Sequence, residues 1–356
     1  MRKRDEGNEA TEKLLAEMEQ KLTAEYKQAE KEVEDKLNDY FRRFRIKDEK
    51  WQKWVEEGTK TKDEYVAWRT QQMAQGKRWQ DLKQQIAEDY RNVDKIAKST
   101  INGYMADVYA VNHNYGLYEI ESGGKLQTSL TLYDRPTVER MMRDDPDMLP
   151  PPGKKVSEAI VQGKAERWSR QKLQSVMTQG ITQGESIPKL ATRLSESVGE
   201  TNRKAAIRNA RTMATSAQNA GRYDSYRRAT NKGVDLVIEW QATLDNRTRH
   251  DHRLMHGQRR EVGEPFVTPD GYSILYPAET GKGESDLPQR EIWNCRCTLL
   301  AWVKGFEGDT LTHSDKMGDM SFDEWLEAKE ETNPIELPEE KGEAIKQSYV
   351  SKYRRK

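Results

Sequence analysis

Two histidines and two cysteines in the C-terminal third are the residues best suited to do chemistry. His252 and His256 are four residues apart, so on a helix both side chains would project from one face. Cys295 and Cys297 are separated by one residue and would add two thiolates. Imidazole nitrogens and thiolates are the common ligands of tetrahedral zinc. His252, Cys295, Cys297 and His256 are therefore a candidate structural zinc set.

A second interpretation of these four residues stays open. The thiols can be small buried side chains and the histidines surface groups, because a Cys-x-Cys spacing differs from the usual Cys-x-x-Cys of zinc sites. A disulfide between Cys295 and Cys297 is disfavoured because it would close a very tight ring. Two cysteines in 356 residues are also no disulfide framework, which favours reduced thiols or a metal site.

The same stretch carries a local excess of positive charge. Between Asp245 and Arg260 there are five arginines and two aspartates, a surplus of three. Such a surplus could contact DNA phosphates or an acidic protein surface. The simpler interpretation is that Arg247 or Arg249 pairs with Asp245 and locks the turn. The histidines beside these arginines also raise a metal-dependent nuclease as an alternative, although no ββα-metal pattern follows.

Short strands and one short helix must position these residues. Residues 234–240 and 298–303 read as strands, whereas Asp245 can cap the turn that follows it and Gly257 can end a short helix in the left-handed conformation. Strand, capped helix, glycine stop, loop and strand form a small α+β module at 236–305. This pattern explains the motif without any catalysis.

Amphipathic helices account for most of the remaining chain. Residues 10–46 carry a narrow apolar stripe, and the tryptophan-rich block after Gly58 indicates a core or a subunit interface. Residues 205–222 are rich in small residues, which predicts a central helix that packs closely. Ser186 is the expected N-cap of a helix. Residues 112–135 read as a loop or short hairpin.

The sequence therefore predicts a mainly α fold, with long helices and a helical bundle followed by a small C-terminal α+β module. The predicted divisions are an N-terminal helical region at 1–111, an irregular or hairpin segment with a proline-rich linker at 112–155, a helical bundle at 156–235, the α+β module at 236–305 and a charged tail at 306–356.

Composition limits the possible functions. Charged residues make up 34% of the chain and hydrophobic residues 34%, so thin helical layers or burial against partner chains fit better than one large core. The 60 basic and 60 acidic residues balance, which argues against a globally basic nucleic-acid binder. No apolar run approaches the roughly 20 residues of a membrane span, and no signal peptide is evident, so we expect a cytoplasmic protein without a membrane partner.

The combination of two motifs resembles a known family. An Asp-x-Arg-Thr-Arg-x-x-His element followed by Asn-Cys-Arg-Cys is similar to the phage Mu protein F-like head morphogenesis family, also called minor head or minor capsid proteins. The upstream segment 210–222 resembles the helix that precedes this module in that family. The motif residues beside the histidines and cysteines are Trp240, Asp245, Arg247, Thr248, Arg249, Gly257, Asn294 and Arg296.

The resemblance implies a structural protein of a tailed bacteriophage and no enzymatic activity. Such a protein would act in head morphogenesis at or near the portal, with portal, major capsid and scaffold proteins as partners. It would be found in the virion, inside the head or at the portal vertex, and in the host cytoplasm during assembly. Contact with packaged double-stranded DNA, or a part in its ejection, is also implied; a non-catalytic nucleic-acid-binding module is the alternative.

The chain departs from the family pattern at the candidate ligands. Some relatives carry Cys-x-x-Cys where this sequence has Arg249 and His252, and Asp-Gly is common where it has His256-Gly257. The resemblance therefore implies ligand positions only at His252, Cys295 and Cys297.

Overall fold

A computed structural model describes residues 5–145, 148–149, 164–279, 289–305 and 320–332. Helices dominate this part of the chain, which confirms the mainly α class. The predicted charged tail lies largely outside the described residues, as do the proline-rich linker and both ends of the chain. No helix among the described residues is long and apolar enough to cross a lipid bilayer.

The helices comprise three long ones and several shorter ones. Their bounds are α1 Glu6–Glu56, α2 Lys62–Arg69, α3 Lys77–Gly124, α4 Arg135–Asp144, α5 Lys164–Thr182, α6 Ile187–Asn231, α7 His250–Met255, α8 Gln289–Ile292 and α9 Phe322–Thr332. One π-helical turn, Thr70–Ala74, follows α2.

The strands lie in the C-terminal module, as the sequence predicts. They are β1 Leu236–Gln241, β2 Arg259–Glu261, β3 Phe266–Val267, β4 Ser273–Ile274 and β5 Thr298–Val303. Strand β1 lies between β2 and β5 and is antiparallel to both, with Trp240 opposite Leu299. Strands β3 and β4 form a separate antiparallel pair. The sheet therefore joins the two halves of the sequence motif.

The described chain divides into two compact units, each built from separate stretches of sequence. The first comprises residues 1–18, 101–152 and 208–356, and the second comprises 19–100 and 153–207. Both units draw on α1, α3 and α6. The sequence-based domain boundaries stay a prediction.

The second unit is a helical bundle with an aromatic and aliphatic core. The apolar stripe predicted along α1 is buried, as Leu22, Val33 and Leu37 show. Trp79 of α3 is also fully buried and packs at 5.8 Å from Tyr40. Three further tryptophans are half-buried: Trp51 stacks on Trp68 and packs edge-to-face on Trp54.

The first unit packs helices closely through small residues. Ala210, Ala214 and Ala217 of α6 are buried, as the prediction of a central helix requires. At Gly221 a Cβ atom would lie 2.5 Å from the carbonyl oxygen of Tyr109 on α3. A side chain there would force the two helices apart.

The end of α3 differs from the sequence-based prediction, whereas the start of α6 agrees with it. The predicted loop or hairpin at 112–135 is wrong over 112–124, because α3 continues through Gly124. Asn112 and Asn114, residue types that commonly interrupt helices, are buried and hydrogen-bonded here: Asn112 donates to Thr11 and Val108, and Asn114 donates to Tyr133. Ser186 does precede the first residue of α6, as predicted.

A buried ion pair links α1 and α2 in the second unit, and its loss should be costly. Arg69 Nε lies 2.7 Å from Asp48 Oδ1, with both side chains almost fully buried. Arg69→Met would leave Asp48 buried without its cation, so we expect the free energy of unfolding to fall by about 3 kcal/mol. Urea titration followed by circular dichroism measures it. Lys60→Met, in an exposed pair, is the control and should stay close to wild type. Equal midpoints for both variants would contradict this.

Candidate metal centre

Three of the four predicted ligands come together in the first unit. The ligand atoms of His252, Cys295 and Cys297 all lie within 4.8 Å of one another, and all three side chains are buried. His252 Nδ1 is 3.3 Å from Cys297 Sγ and 3.6 Å from Cys295 Sγ. The structure thus brings these three residues together, and their role as metal ligands stays a prediction.

The local fold explains why these side chains converge. His252 lies in α7, which Gly257 follows at φ +82°, the left-handed conformation predicted for the helix stop. Asn294 has φ +53° and turns the chain after α8 into the extended segment that leads to β5. In that segment Cys295 and Cys297 alternate with Arg296. Residues two apart in extended backbone share one face, so both sulfurs point inward.

A carboxylate orients the imidazole from its far side. Glu291 Oε2 lies 3.2 Å from His252 Nε2, and both side chains are buried. Nε2 can donate to this carboxylate while Nδ1 faces the sulfurs. A carboxylate behind a histidine is the usual arrangement around protein-bound zinc, because it fixes the tautomer and makes the imidazole more basic.

The electrostatics of the cluster favour a thiolate. A hydrogen bond from the Cys297 thiol, aided by His252, holds the pKa of Cys295 well below its usual range despite burial. The same hydrogen bond, together with burial, raises the pKa of Cys297. Burial lowers the pKa of His252, but the hydrogen bond and charge of Cys295 outweigh it, so the net shift is upward. Of the two thiols, Cys295 is therefore the one more readily deprotonated.

One orphaned polar group also fits a metal-bound thiolate. Trp240 is 1% exposed, and its indole N–H makes no hydrogen bond within the described residues. It lies close enough to Cys297 to lower the pKa of that thiol. Sulfur bound to a metal is a stronger acceptor than a neutral thiol, and second-shell N–H donors commonly point at it. The Trp240 ring also packs edge-to-face on His252 at 5.7 Å.

The structure does not place His256 in this cluster. His256 follows α7, where its Nδ1 accepts a 3.2 Å hydrogen bond from the backbone N–H of Ala242. The expectation that His252 and His256 share a helical face is wrong because α7 ends at Met255. His256 instead helps to hold the chain after β1.

The turn before α7 has the predicted ion pair between Arg247 and Asp245 and a closer one that the sequence did not indicate. Asp245 does cap the turn, accepting from the backbone N–H of Arg247 and from the Thr248 hydroxyl. Its main ion pair, however, is with Arg296, which donates two 2.7 Å hydrogen bonds to its two carboxylate oxygens. Arg247 Nε is 3.6 Å from Asp245, and Arg249 donates to the carbonyl of Trp293. The two halves of the motif are therefore joined by a bidentate pair.

A polar stripe on α6 holds the backbone that carries the cysteines. Asn219 donates to the carbonyl of Cys297 at 3.0 Å and accepts from the N–H of Leu299 at 3.1 Å. Thr215 donates to the carbonyl of Cys295, and the Thr212 hydroxyl accepts from the N–H of Asn294. The fully buried Arg222 donates to the carbonyl of Leu299. Four side chains of α6 thus make the hydrogen bonds to this backbone that a neighbouring strand would otherwise make.

The sequence predicted neither the contact of Glu291 with His252 nor the role of this polar stripe in holding the backbone around the cysteines. Thr212, Thr215, Asn219 and Arg222 recur at intervals of three or four, which places them on one helical face. That periodicity of polar residues within an alanine-rich segment was the available signal. Glu291 offered no such signal, because its partner lies 39 residues away.

Comparison with known proteins supports the resemblance predicted from the motif. Residues 171–300 match the family described as Phage Mu protein F like protein. The matched segment runs from α5 into β5 and contains His252, both cysteines and the stripe of α6. No solved structure matches the chain significantly.

Two curated proteins are similar over a wider range. The NAD(+)–arginine ADP-ribosyltransferase EFV of Enterococcus faecalis is 29% identical over 238 residues, which is 66% of this chain and 45% of that protein. The minor head protein GP7 of Bacillus phage SPP1 is 27% identical over 224 residues, 63% of this chain and 67% of that protein. The chain therefore spans less than half the length of the first relative and about two thirds of the second.

Removing the Asn219 side chain should destabilise the module. Asn219→Ala would leave the carbonyl of Cys297 and the N–H of Leu299 buried without partners, at a cost of about 2–4 kcal/mol. Urea unfolding followed by tryptophan fluorescence measures the change. Asn231→Ala, at the exposed end of the same helix, is the matched control and should stay within about 0.5 kcal/mol of wild type. Similar midpoints for the two variants would refute the bridging role.

The Asp245–Arg296 pair should make stability depend on pH. The Arg296 guanidinium holds the pKa of Asp245 below its usual range, so its stabilising effect is present above about pH 4 and is lost as pH falls towards the folded-state pKa. The difference in melting temperature between wild type and Asp245→Asn should therefore be largest near pH 7 and shrink below pH 4. Asp251→Asn, in α7, is the control. A difference that does not change with pH would show that Asp245 does not act as a charge.

Proposed function

We propose that this protein is a structural minor head protein of a tailed bacteriophage, acting in head morphogenesis. The observation that carries the proposal is the match of residues 171–300 to the phage Mu protein F-like family, together with the similarity to a minor head protein over a longer stretch. Head components are its partners in this proposal, and the virion is its location. Contact at or near the portal is the specific form of that role we favour.

The way the module uses its arginines supports an architectural role over a general DNA contact. All five arginines of the basic segment make intramolecular polar contacts. Their partners are Asp245 for Arg247, Trp293 for Arg249, Thr248 and Asp245 for Arg253, Glu239 for Arg259, and Pro265 for Arg260. Side chains engaged in this way fix the shape of the module. Nucleic-acid binding without catalysis remains the alternative function, through the faces of these arginines left in solvent.

The arrangement of the cluster argues for a non-enzymatic role. A hydrolytic metal site needs a general base that reaches the metal-bound water. Glu291 contacts Nε2 of His252, so the imidazole ring lies between this carboxylate and the sulfurs. The carboxylate therefore suits orientation of the ligand better than proton transfer. The transferase activity in the name of one relative belongs to that protein, of which this chain spans 45%.

Deleting the gene in its phage tests the proposed role. We expect purified wild-type virions to contain the protein, and deletion to lower the yield of infectious particles by tenfold or more, with recovery when the gene is supplied in trans. Co-expression with the portal protein should yield a complex that survives size-exclusion chromatography. Normal numbers of infectious particles after deletion, without the protein in wild-type virions, would overturn the proposal.

A further inference from the structure

The cluster of His252, Cys295 and Cys297 has the dimensions of a zinc site before any ion is considered. Bond lengths of about 2.3 Å to sulfur and about 2.0 Å to nitrogen, in a tetrahedron, place sulfur and nitrogen ~3.6 Å apart. The distances from His252 Nδ1 to the two sulfurs are 3.3 and 3.6 Å. Both nitrogen–sulfur distances are thus close to those of a zinc tetrahedron, and the two sulfurs lie within 4.8 Å of each other.

The fourth corner faces a pocket rather than another ligand. Within the part of the chain that the structure describes, no further His, Cys, Asp or Glu joins this group. His256 is engaged by Ala242, and Glu291 lies behind the imidazole. The three ligands themselves line a small pocket, together with Thr243, Arg247, Thr248, Arg249, Asn294 and Arg296. The accessible side of the cluster is thus a polar cavity.

The charges around this pocket select an anion. Two thiolates neutralise a zinc ion, so the metal centre itself carries no net charge. Arg247, Arg249 and Arg296 line the pocket, and the carboxylate of Asp245 offsets one of them. The buried carboxylate of Glu291 beside His252 offsets a second, so one positive charge remains. Planar guanidinium groups match the oxygens of tetrahedral oxyanions such as phosphate.

We propose that His252, Cys295 and Cys297 bind one zinc ion, and that its fourth coordination position is exchangeable and accepts a phosphate oxygen held by Arg247 and Arg249. The phosphate can be a free ion or a group of a nucleic-acid backbone. Arg249 lies close enough to influence both His252 and Cys297 electrostatically, so an anion at the metal would lie within its reach. This proposal does not depend on the role in head assembly.

Metal analysis of the full-length protein tests the first half of the proposal. Protein purified with zinc present should contain one zinc per chain, and Cys295→Ser with Cys297→Ser should lose it. His256→Ala should retain the metal, because His256 is not a ligand. Circular dichroism checks that each variant is folded. Wild-type protein that binds no zinc would overturn the whole inference while leaving the proposed head role untouched.

Cobalt substitution tests the exchangeable position. Co²⁺ in the site should give the visible absorption of a tetrahedral thiolate complex, and inorganic phosphate should change it saturably. Arg247→Ala should weaken the apparent affinity for phosphate tenfold or more without changing metal content. Arg247 suits this test because its side chain is 71% exposed and, among the described residues, its carboxylate contact is the 3.6 Å approach to Asp245. Arg260→Ala, outside the pocket, is the matched control.

The outcomes separate the two halves of the proposal and the two sources of phosphate. A metal-loaded protein whose spectrum ignores phosphate would overturn the open position, as would equal affinities in the Arg247→Ala and Arg260→Ala variants. A duplex oligonucleotide that produces the same spectral change at lower concentration than inorganic phosphate would identify the backbone as the source. A response to inorganic phosphate alone would identify the free ion.

Discussion

The hydrogen bonds from α6 to the backbone around the cysteines are the interaction on which the C-terminal module depends. Asn219 serves a carbonyl and an amide at once, and Arg222 serves the same stretch of chain. Since β5 is bonded to β1 on one side, the opposite row of backbone groups would otherwise be buried without partners. The backbone groups of α6 are already hydrogen-bonded within the helix. Its polar side chains must therefore supply the hydrogen bonds to this row of backbone groups. Helix α6 and the α+β module are therefore joined by hydrogen bonds along this stretch of backbone.

A second constraint fixes the two halves of the motif at a single distance. The bidentate pair of Asp245 and Arg296 ties the turn before α7 to the segment between the two cysteines. The position of His252 relative to both sulfurs follows from that tie and from the pairing of β1 with β5. The histidine and the pair of cysteines thus come from two different local structures, but the distance between them is set by contacts outside the cluster.

The sequence was informative where periodicity or glycine and proline punctuation determines structure. The strand at 298–303, the end of the short helix at Gly257 and the buried stripe of α1 all follow from local rules, and the structure has them. The failure at 112–124 has a physical reason: asparagine disfavours helix because its side chain competes for nearby backbone groups, whereas Asn112 and Asn114 also bond to Thr11 and Tyr133, which lie 101 and 19 residues away. The ligand cluster was predicted as a set of residue types, but Glu291 and the exclusion of His256 depend on tertiary contacts.

The dependence of β5 on α6 has a consequence for dissection of this protein. A fragment that starts after Gly233 would keep all five strands yet lose every side chain that covers the outer edge of β5. Exposed edges of this kind template pairing with other chains, so such a fragment should self-associate. Recombination meets the same limit: a crossover between Thr212 and Asn231 would separate the sheet from the side chains that cover it, whereas a crossover before Arg208 would transfer both together.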